Sequence, residues 1–496
     1  LAAIAAAVPG DEIVLAAGTY ALGGASCTAD GSEEQPITVR AASHLGAIIE
    51  MDALEGFKVS GAHWHFEDLE VRGVCASDPD CEHAFHVVGG AEGFWLRNSR
   101  VLDFNAQLKV NAQDEGAGFE IPHRGLIEGN DIRDTSSRET DSPTTKLNID
   151  TGDDWIVRAN VIADFQKNGG DEISYGAFMK SGGNRGLFER NLVMCTYLVQ
   201  TGGTRIGLSF GGGGTGAQFC APDFDPYVPC DPEHSDGVMR NNVIVNCSDV
   251  GIYLNLAANT RVLSNTLIGT AGIDFRFAST SGEADGNVLS GAIRGRDDGT
   301  FTPGTNVENV ELDTFLAAYV GPLSGDLRVL GDDVVADWIG AGAPRADVPD
   351  DYCLRDRPAA APTLGALEHS LGDCTTFPPP VGESSSATVG SSTSAGSGGD
   401  TSAGPGGPGA GPGSGGGDAG PGATSGTSAP GSASGGDGAA GSGGAAGDEA
   451  SGEDDGCGCR VVAAAPVSRA SAALALALAA AVASRRVRRR AARGAM

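Results

Sequence analysis

Residues 251–268, GIYLNLAANTRVLSNTLI, lie over residues 176–193, GAFMKSGGNRGLFERNLV, without a gap. Each carries an alternating stretch, a corner rich in Gly, Ala and Asn, a second short apolar stretch and an Asn-bearing corner. Alternation with period two marks a strand whose side chains point to opposite faces in turn. A unit this short cannot bury its own apolar face, so copies of it must stack on one another.

Fragments of the same unit recur at 84–101, 107–130, 146–162, 206–244 and 273–289, which makes about seven coils legible. Asn98, Asn130, Asn160, Asn191, Asn242, Asn265 and Asn287 mark the corners. Asn tolerates left-handed backbone, and its side-chain amide can bond to the same residue one coil away. Asn265 and Asn287 are 22 residues apart, and earlier spacings are longer, as inserted loops require. Strand-built repeats of this size predict an all-β chain, a right-handed parallel β-helix.

Around that core the composition divides the chain. Residues 1–20, LAAIAAAVPGDEIVLAAGTY, read as a short apolar helix, a Pro-Gly break and a first strand, a cap over the open end. Starting at Leu1 rather than Met, the chain reads as a fragment or a processed product. Coils follow over about 37–310, then a closing segment over 311–377. Residues 378–456 are Gly, Ser, Pro, Ala and Thr with scattered acids, a composition that buries no core and predicts a disordered linker. Residues 457–496 hold Cys457 and Cys459, an apolar run at 472–482 and an arginine cluster from Arg485 to Arg493. That run is shorter than the roughly 20 residues an ordinary spanning helix needs, but with its basic flank it predicts a short anchor helix. The tripartite tail resembles a myxobacterial C-terminal sorting signal, which implies membrane anchoring and display at the cell surface.

Eleven cysteines, several in local pairs, predict export and disulfides. Cys75/Cys81, Cys220/Cys230 and Cys353/Cys374 suit short bridges, and Cys195 and Cys247 meet across stacked coils. No CxxC pair of zinc-binding spacing accompanies them. Net charge is −31; setting aside eight tail arginines and nine spacer acids leaves 25 basic against 55 acidic residues. Such a body is unsuited to general nucleic-acid or anionic-lipid binding, so a local row of cations calls for a reason.

Register read from Asn255 supplies such a row. It places Leu254 and Leu256 inward, and Val87, Lys109, Asn148, Lys180, Ser209, Asn255 and Arg276 in one outward column. A second outward column holds Phe85, Gln107, Lys146, Phe178, Gly207, Tyr253 and Asp274, with Arg205 at the strand edge. Lys109, Lys146, Lys180, Arg205 and Arg276, beside Asn148, Asn255, Phe178 and Tyr253, then line a track for an acidic polysaccharide held by a monomer. Cations meet the carboxylates and aromatic rings pack on sugar faces. The plain alternative is that outward Lys and Asn only solvate an exposed sheet.

Residues 1–74, with PGDEIVLAAGTY, QPITVRAA and FKVSGAHWHFEDLEVRG, and the segment Asp171-Glu172-Ile173 followed by Lys180-Ser181, Asn184 and FERN, resemble the chondroitinase B and alginate lyase family. The resemblance implies β-elimination on a uronate: Lys180 as the base at C5, Arg205 as its assistant, and Asp171 and Glu172 holding Ca²⁺ against the substrate carboxylate. Departures are visible, since the acids precede Lys180 by eight and nine residues and Ser209 stands one coil after it. Other constellations read as structure. Asp153-Asp154 suits a turn better than a two-carboxylate hydrolase, His63 and His65 lack a third ligand, and His86 aligns with inward Leu254. The run Gly211–Gly214 lacks the Lys-Ser/Thr and helix of a phosphate loop, and the insertion 218–234 after it reads as a lid.

Overall fold

The computed structural model describes residues 1–378 except Gly213; the predicted spacer and sorting tail lie outside the described residues. Three parallel sheets of 11, 10 and 10 strands wind around a common core, each coil contributing a strand to the first, second and third sheet in turn. This is the right-handed parallel β-helix expected. The coils begin earlier than expected, because Glu12–Leu15 already pairs with Ile37–Ala41 in the first sheet. The cap helix is a single turn, Ala2–Ala5, burying Ile4.

Inward side chains stack in files. On the third sheet Leu108, Leu147, Ala177, Leu208, Ile252 and Ile273 pair successively and are all fully buried. A second file runs Val87, Val110, Ile149, Met179, Phe210, Leu254 and Phe275. Full burial of each such side chain is worth about 1.5–3 kcal/mol against exposure, which holds the register of every coil.

The Asn ladder sits between the first and second sheets. Asn130 donates to Asn160 at 2.9 Å, Asn160 to Asn191 at 3.0 Å, Asn191 to Asn242 at 3.0 Å, Asn242 to Asn265 at 2.9 Å and Asn265 to Asn287 at 3.0 Å. Asn306 continues it. Asn98 does not belong to it: Ser99 occupies the ladder position, its N–H donating to Asn130 Oδ1. Left-handed backbone falls on the residue before every ladder position from Ser99 to Asn287, as at Asn98, Ala159 and Arg190.

Four disulfides form as the spacing suggested, Cys75–Cys81, Cys195–Cys247, Cys220–Cys230 and Cys353–Cys374. Buried Cys27 stays reduced, its thiol pushed up to about 12 by desolvation. The closing segment packs along a flank: Phe315, Tyr319, Trp338 and Tyr352 cluster with the outward Val161, Ala163, Leu192, Met194, Val243 and Val245 of the second sheet. Among the described residues no helix is long and apolar enough to cross a membrane.

Candidate functional site

The outward face of the third sheet gathers most of the residues singled out by sequence, in a corrected register. Lys109 pairs with His86 on one side and Asn148 on the other, and the same file continues through Phe178, Ser209, Tyr253, Asp274 and Arg294. Lys180 stands opposite Asp150 rather than Asn148, and Asn255 opposite Arg276, then Arg296. Phe85 and Val87 face the core, and Leu256 turns out of the strand at φ 58°. Lys109, Lys180 and Arg276 nonetheless share one face, because the slip between Asn148 and Lys180 was two residues and preserved the alternation.

The geometry centres on Asp150. Its carboxylate binds Lys109 and lies 3.4 Å from Lys180 Nζ. Lys109 also donates to Asn148 Oδ1 at 3.2 Å. Burial works against charge on Asp150, but Lys109 and Lys180 outweigh it and hold the carboxyl below the usual aspartate range. Lys180 Nζ stands 5.0 Å from the centre of the Phe178 ring, an attractive cation–π contact. Farther along, Arg276 donates to Tyr253 Oη at 2.9 Å and pairs with Asp297 at 2.5 Å, while Arg294 and Arg296 both bind Asp274 at 2.6 and 2.7 Å. Asn255 is buried, and its Oδ1 has no hydrogen-bond partner among the described residues.

Two insertions at the strand ends wall this face. The hairpin Gln113–Asp114 with Phe119–Glu120 and the loop closed by Cys220–Cys230 meet where Phe119 stacks on Phe224, ring centres 4.0 Å apart. A Cβ at Gly212 would lie 3.1 Å from Lys180 Cδ, and one at Gly211 would strike Asn255 O, so the glycines let the loop cross the lysine stem. Backbone N–H groups of Gly212 and Thr215 donate to the Glu233 carboxylate, which takes the anion position that a phosphate loop would leave open.

Several expected participants stand elsewhere. Lys146 is on the outward side of its strand but fully buried, donating to Asp134 Oδ2 at 2.6 Å and Phe104 O at 2.8 Å. Desolvation pushes Asp134 up to about 6 and Lys146 below the usual lysine range. Arg205 opposes Ser174, six residues before Lys180, which is about 20 Å along a strand. It is buried against Gln166 and the carbonyls of Thr201 and Gly202. Asp171 and Glu172 precede the opposite end of the strand Ile173–Lys180. Asp171 Oδ1 is shared by Lys167 at 2.5 Å and the Ile173 N–H at 3.0 Å, so a cation already occupies its charge. The expected acid–Lys–Arg assembly is therefore not brought together, and these two acids do not fit a calcium centre serving Lys180.

The sequence reading missed His86, which lies in the outward file rather than the core. Its Nδ1 is 2.7 Å from Glu55 Oε1 and its Nε2 2.7 Å from Asn111 Oδ1. The hydrogen bond from His86 holds the Glu55 carboxyl down at about 2, whereas desolvation lowers His83 to about 3. It also missed the first sheet's outward file, where Arg40, Glu67, Arg97, Glu128, Arg158, Glu189 and Arg240 alternate in sign without a break. Arg97 bridges Glu128 at 3.1 Å, Arg158 bridges Glu128 at 2.6 Å and Arg240 bridges Glu189 at 2.6 Å, so that face neutralises itself.

No family model matches the chain, and no curated protein does. Among solved structures it aligns with a rhamnogalacturonan lyase at 15% identity and TM-score 0.42, over 74% of this chain and 90% of that one. Pectate lyase Pel9A aligns at 16% and 0.41 over 74% and 90%. An alginate lyase from Paenibacillus sp. str. FPU-7 aligns at 17% and 0.31 over 62% and 95%. At such identities the chemistry of this chain rests on its own residues.

Proposed function

We propose that this protein is displayed at the cell surface and binds an acidic, uronate-type polysaccharide along the outward face of the third sheet. One observation carries the reading: cations outnumber the acids they contact on this face, two lysines to Asp150 and two arginines to Asp274. On the first sheet Arg97 and Arg158 also share Glu128, but the file balances, since Arg40, Arg97, Arg158 and Arg240 are met by Glu12, Glu67, Glu128 and Glu189. From the strand of Lys109 to that of Arg276 is five steps, about 24 Å, long enough for several sugar units. Phe178 and Tyr253 are buried beneath the cations and hold Lys180 and Arg276 in place rather than offering open ring faces. Four disulfides support export, where the polymer would be met.

Cleavage by β-elimination is a second reading, favoured by two ammonium groups converging on one carboxylate. Lys180, after giving up its own proton, would take the C5 proton as the C4–O4 bond breaks and pass it to O4, while Lys109, in place of Arg205, stays charged and meets the uronate carboxylate. Native affinity electrophoresis in gels containing polygalacturonate, alginate or a glycosaminoglycan tests binding, with ultraviolet absorbance of unsaturated uronate as the cleavage readout. Retention by uronate gels and not by neutral dextran supports the proposal. Equal migration in both ends it.

A further inference from the structure

Glu55, His83 and His86 converge at the upstream end of the third sheet's outward face, their donor atoms all within 4.8 Å of one another. Glu55 opposes His83 across adjacent coils, and the two imidazole rings are 5.0 Å apart. Both histidine side chains are 13% exposed, so the cluster is half-enclosed but reachable.

Hydrogen-bond logic points to a cation there. Asn111 Nδ2 donates to Ala112 O at 2.9 Å, which fixes the amide with Oδ1 toward His86 Nε2 at 2.7 Å. Nε2 must therefore be the N–H of that ring. His86 Nδ1 then faces Glu55 Oε1 at 2.7 Å, a contact made by a second ring proton in the metal-free protein, whose place a metal ion can take. Across from them, His83 Nδ1 is buried with no hydrogen-bond partner among the described residues. An N–H held by a side-chain oxygen while the other nitrogen faces a carboxylate is how ligating histidines are oriented.

We propose that Glu55, His83 and His86 form a binding site for a divalent transition metal of the zinc class, with Asn111 as the positioning residue for His86. Two imidazoles and one carboxylate suit Zn²⁺, Co²⁺, Ni²⁺ or Cu²⁺, whereas Ca²⁺ and Mg²⁺ take oxygen sets. Ligands about 2.0–2.1 Å from a tetrahedral ion lie about 3.3 Å apart, so closing this site takes side-chain rotations of about 1 Å. Three protein ligands leave a fourth position open toward the face that carries Lys109, the cross-coil partner of His86. Two positive neighbours, Lys58 at 3.6 Å from Glu55 Oε2 and Lys109, oppose the ion, and Glu82, 4.0 Å from His83 Nε2, offsets them.

Titration calorimetry with ZnCl₂ on the full-length, untagged, chelator-stripped protein tests this, with Cys457 and Cys459 alkylated so that the tail contributes no thiolate. The expected result is one Zn²⁺ per chain, with Ca²⁺ and Mg²⁺ failing to compete, and intense visible bands when Co²⁺ is added instead. His83→Ala and His86→Ala should each abolish measurable uptake, and Asn111→Ala should weaken it roughly 10–100-fold. Glu55→Gln, which keeps the side chain's shape, should weaken uptake with an unchanged circular dichroism spectrum. Wild-type protein that takes up no Zn²⁺ and gives no Co²⁺ bands, or folded histidine variants that keep full affinity, would overturn the site. Run with a chelator in the gel, the polysaccharide retention assay reads independently of this one.

Discussion

Replacing Asp150 by Asn should make the protein bind acidic polysaccharide more tightly, although it removes an interaction from the candidate site. Asp150 neutralises part of the charge of Lys109 and Lys180, and a bound carboxylate must sit near it. An anion about 3 Å from Lys180 Nζ lies about 6 Å from Asp150, where the repulsion at an effective dielectric of about 20 is about 2.8 kcal/mol. Side chains here are 17–19% exposed, and at physiological salt the screening length is about 8 Å, so about half survives. About 1.4 kcal/mol is a tenfold gain in affinity, read as the concentration of polygalacturonate that halves migration. Asn keeps the shape and one acceptor oxygen for Lys109, so the cost in stability is about 1–2 kcal/mol, checked by thermal melting. The sign with pH follows from the depressed carboxyl. Its contribution is fully present above the ordinary value of 3.8 and is lost only as pH falls through the lower folded value. The contrast between wild type and variant should therefore hold unchanged from neutral pH to about pH 5. A folded Asp150→Asn protein that binds no better than wild type would refute the idea that anions dock on Lys109 and Lys180.

Lys180→Ala should lower uronate affinity about tenfold and remove any unsaturated product, while Arg205→Ala should leave affinity within about twofold and lower the melting temperature, since Arg205 is buried away from the face. Lys146→Met strands Asp134 without its buried partner and should cost about 3–5 kcal/mol in denaturant melts with no change in affinity. Asn191→Ala removes hydrogen bonds to Val157 O and Asn242 and from the N–H and side-chain amide of Asn160, about 4 kcal/mol at about 1 kcal/mol each; Asn98→Ala, at a left-handed corner outside the ladder, should cost about 1 kcal/mol. Equal losses in these two variants would contradict the ladder assignment.

The solenoid was legible because its signals are local. Alternating apolar residues and a corner Asn recur in every coil, and each is set by its own neighbours. The ladder was misplaced only at Asn98, where Asn98-Ser99 offered two candidate residues and the side-chain oxygen that accepts from the preceding coil's N–H, at Leu69, belongs to the second. Register between coils was harder, since strands differ in length and loops intervene. The two-residue slip at Lys180 kept it outward, whereas the one-residue slip at His86 reversed its face. Lys146 could not be recognised as buried from the repeat, because its cover comes from the turn at Asp134. Glu55, His83 and His86 escaped notice since a three-residue spacing places two histidines on opposite faces of an ideal strand and the Glu comes from the preceding coil. The alternating file of the first sheet did carry a signal: Arg97, Glu128, Arg158, Glu189 and Arg240 each stand two residues before a ladder position.

Sorting the charges by face turns the acidity of the chain into a kinetic statement. The first sheet's file is self-neutralised, part of the second sheet lies under the closing segment, and the third sheet holds clusters with more cations than acids on a chain of net charge −31. A polyanion is then repelled at long range and attracted only at contact. Salt acts on these two terms in sequence: at about 0.1 M the screening length is about 10 Å, which removes the distant repulsion, while pairs at about 3 Å persist until about 1 M. Binding of polygalacturonate should therefore strengthen as ionic strength rises from about 0.01 to about 0.1 M, through a faster on-rate, and weaken beyond it as the off-rate grows. A simple basic groove would lose affinity at every step of that series. Surface plasmon resonance over the salt range separates the two cases, and a monotonic fall from the lowest salt would mean that the polymer is drawn in by a field this face does not possess.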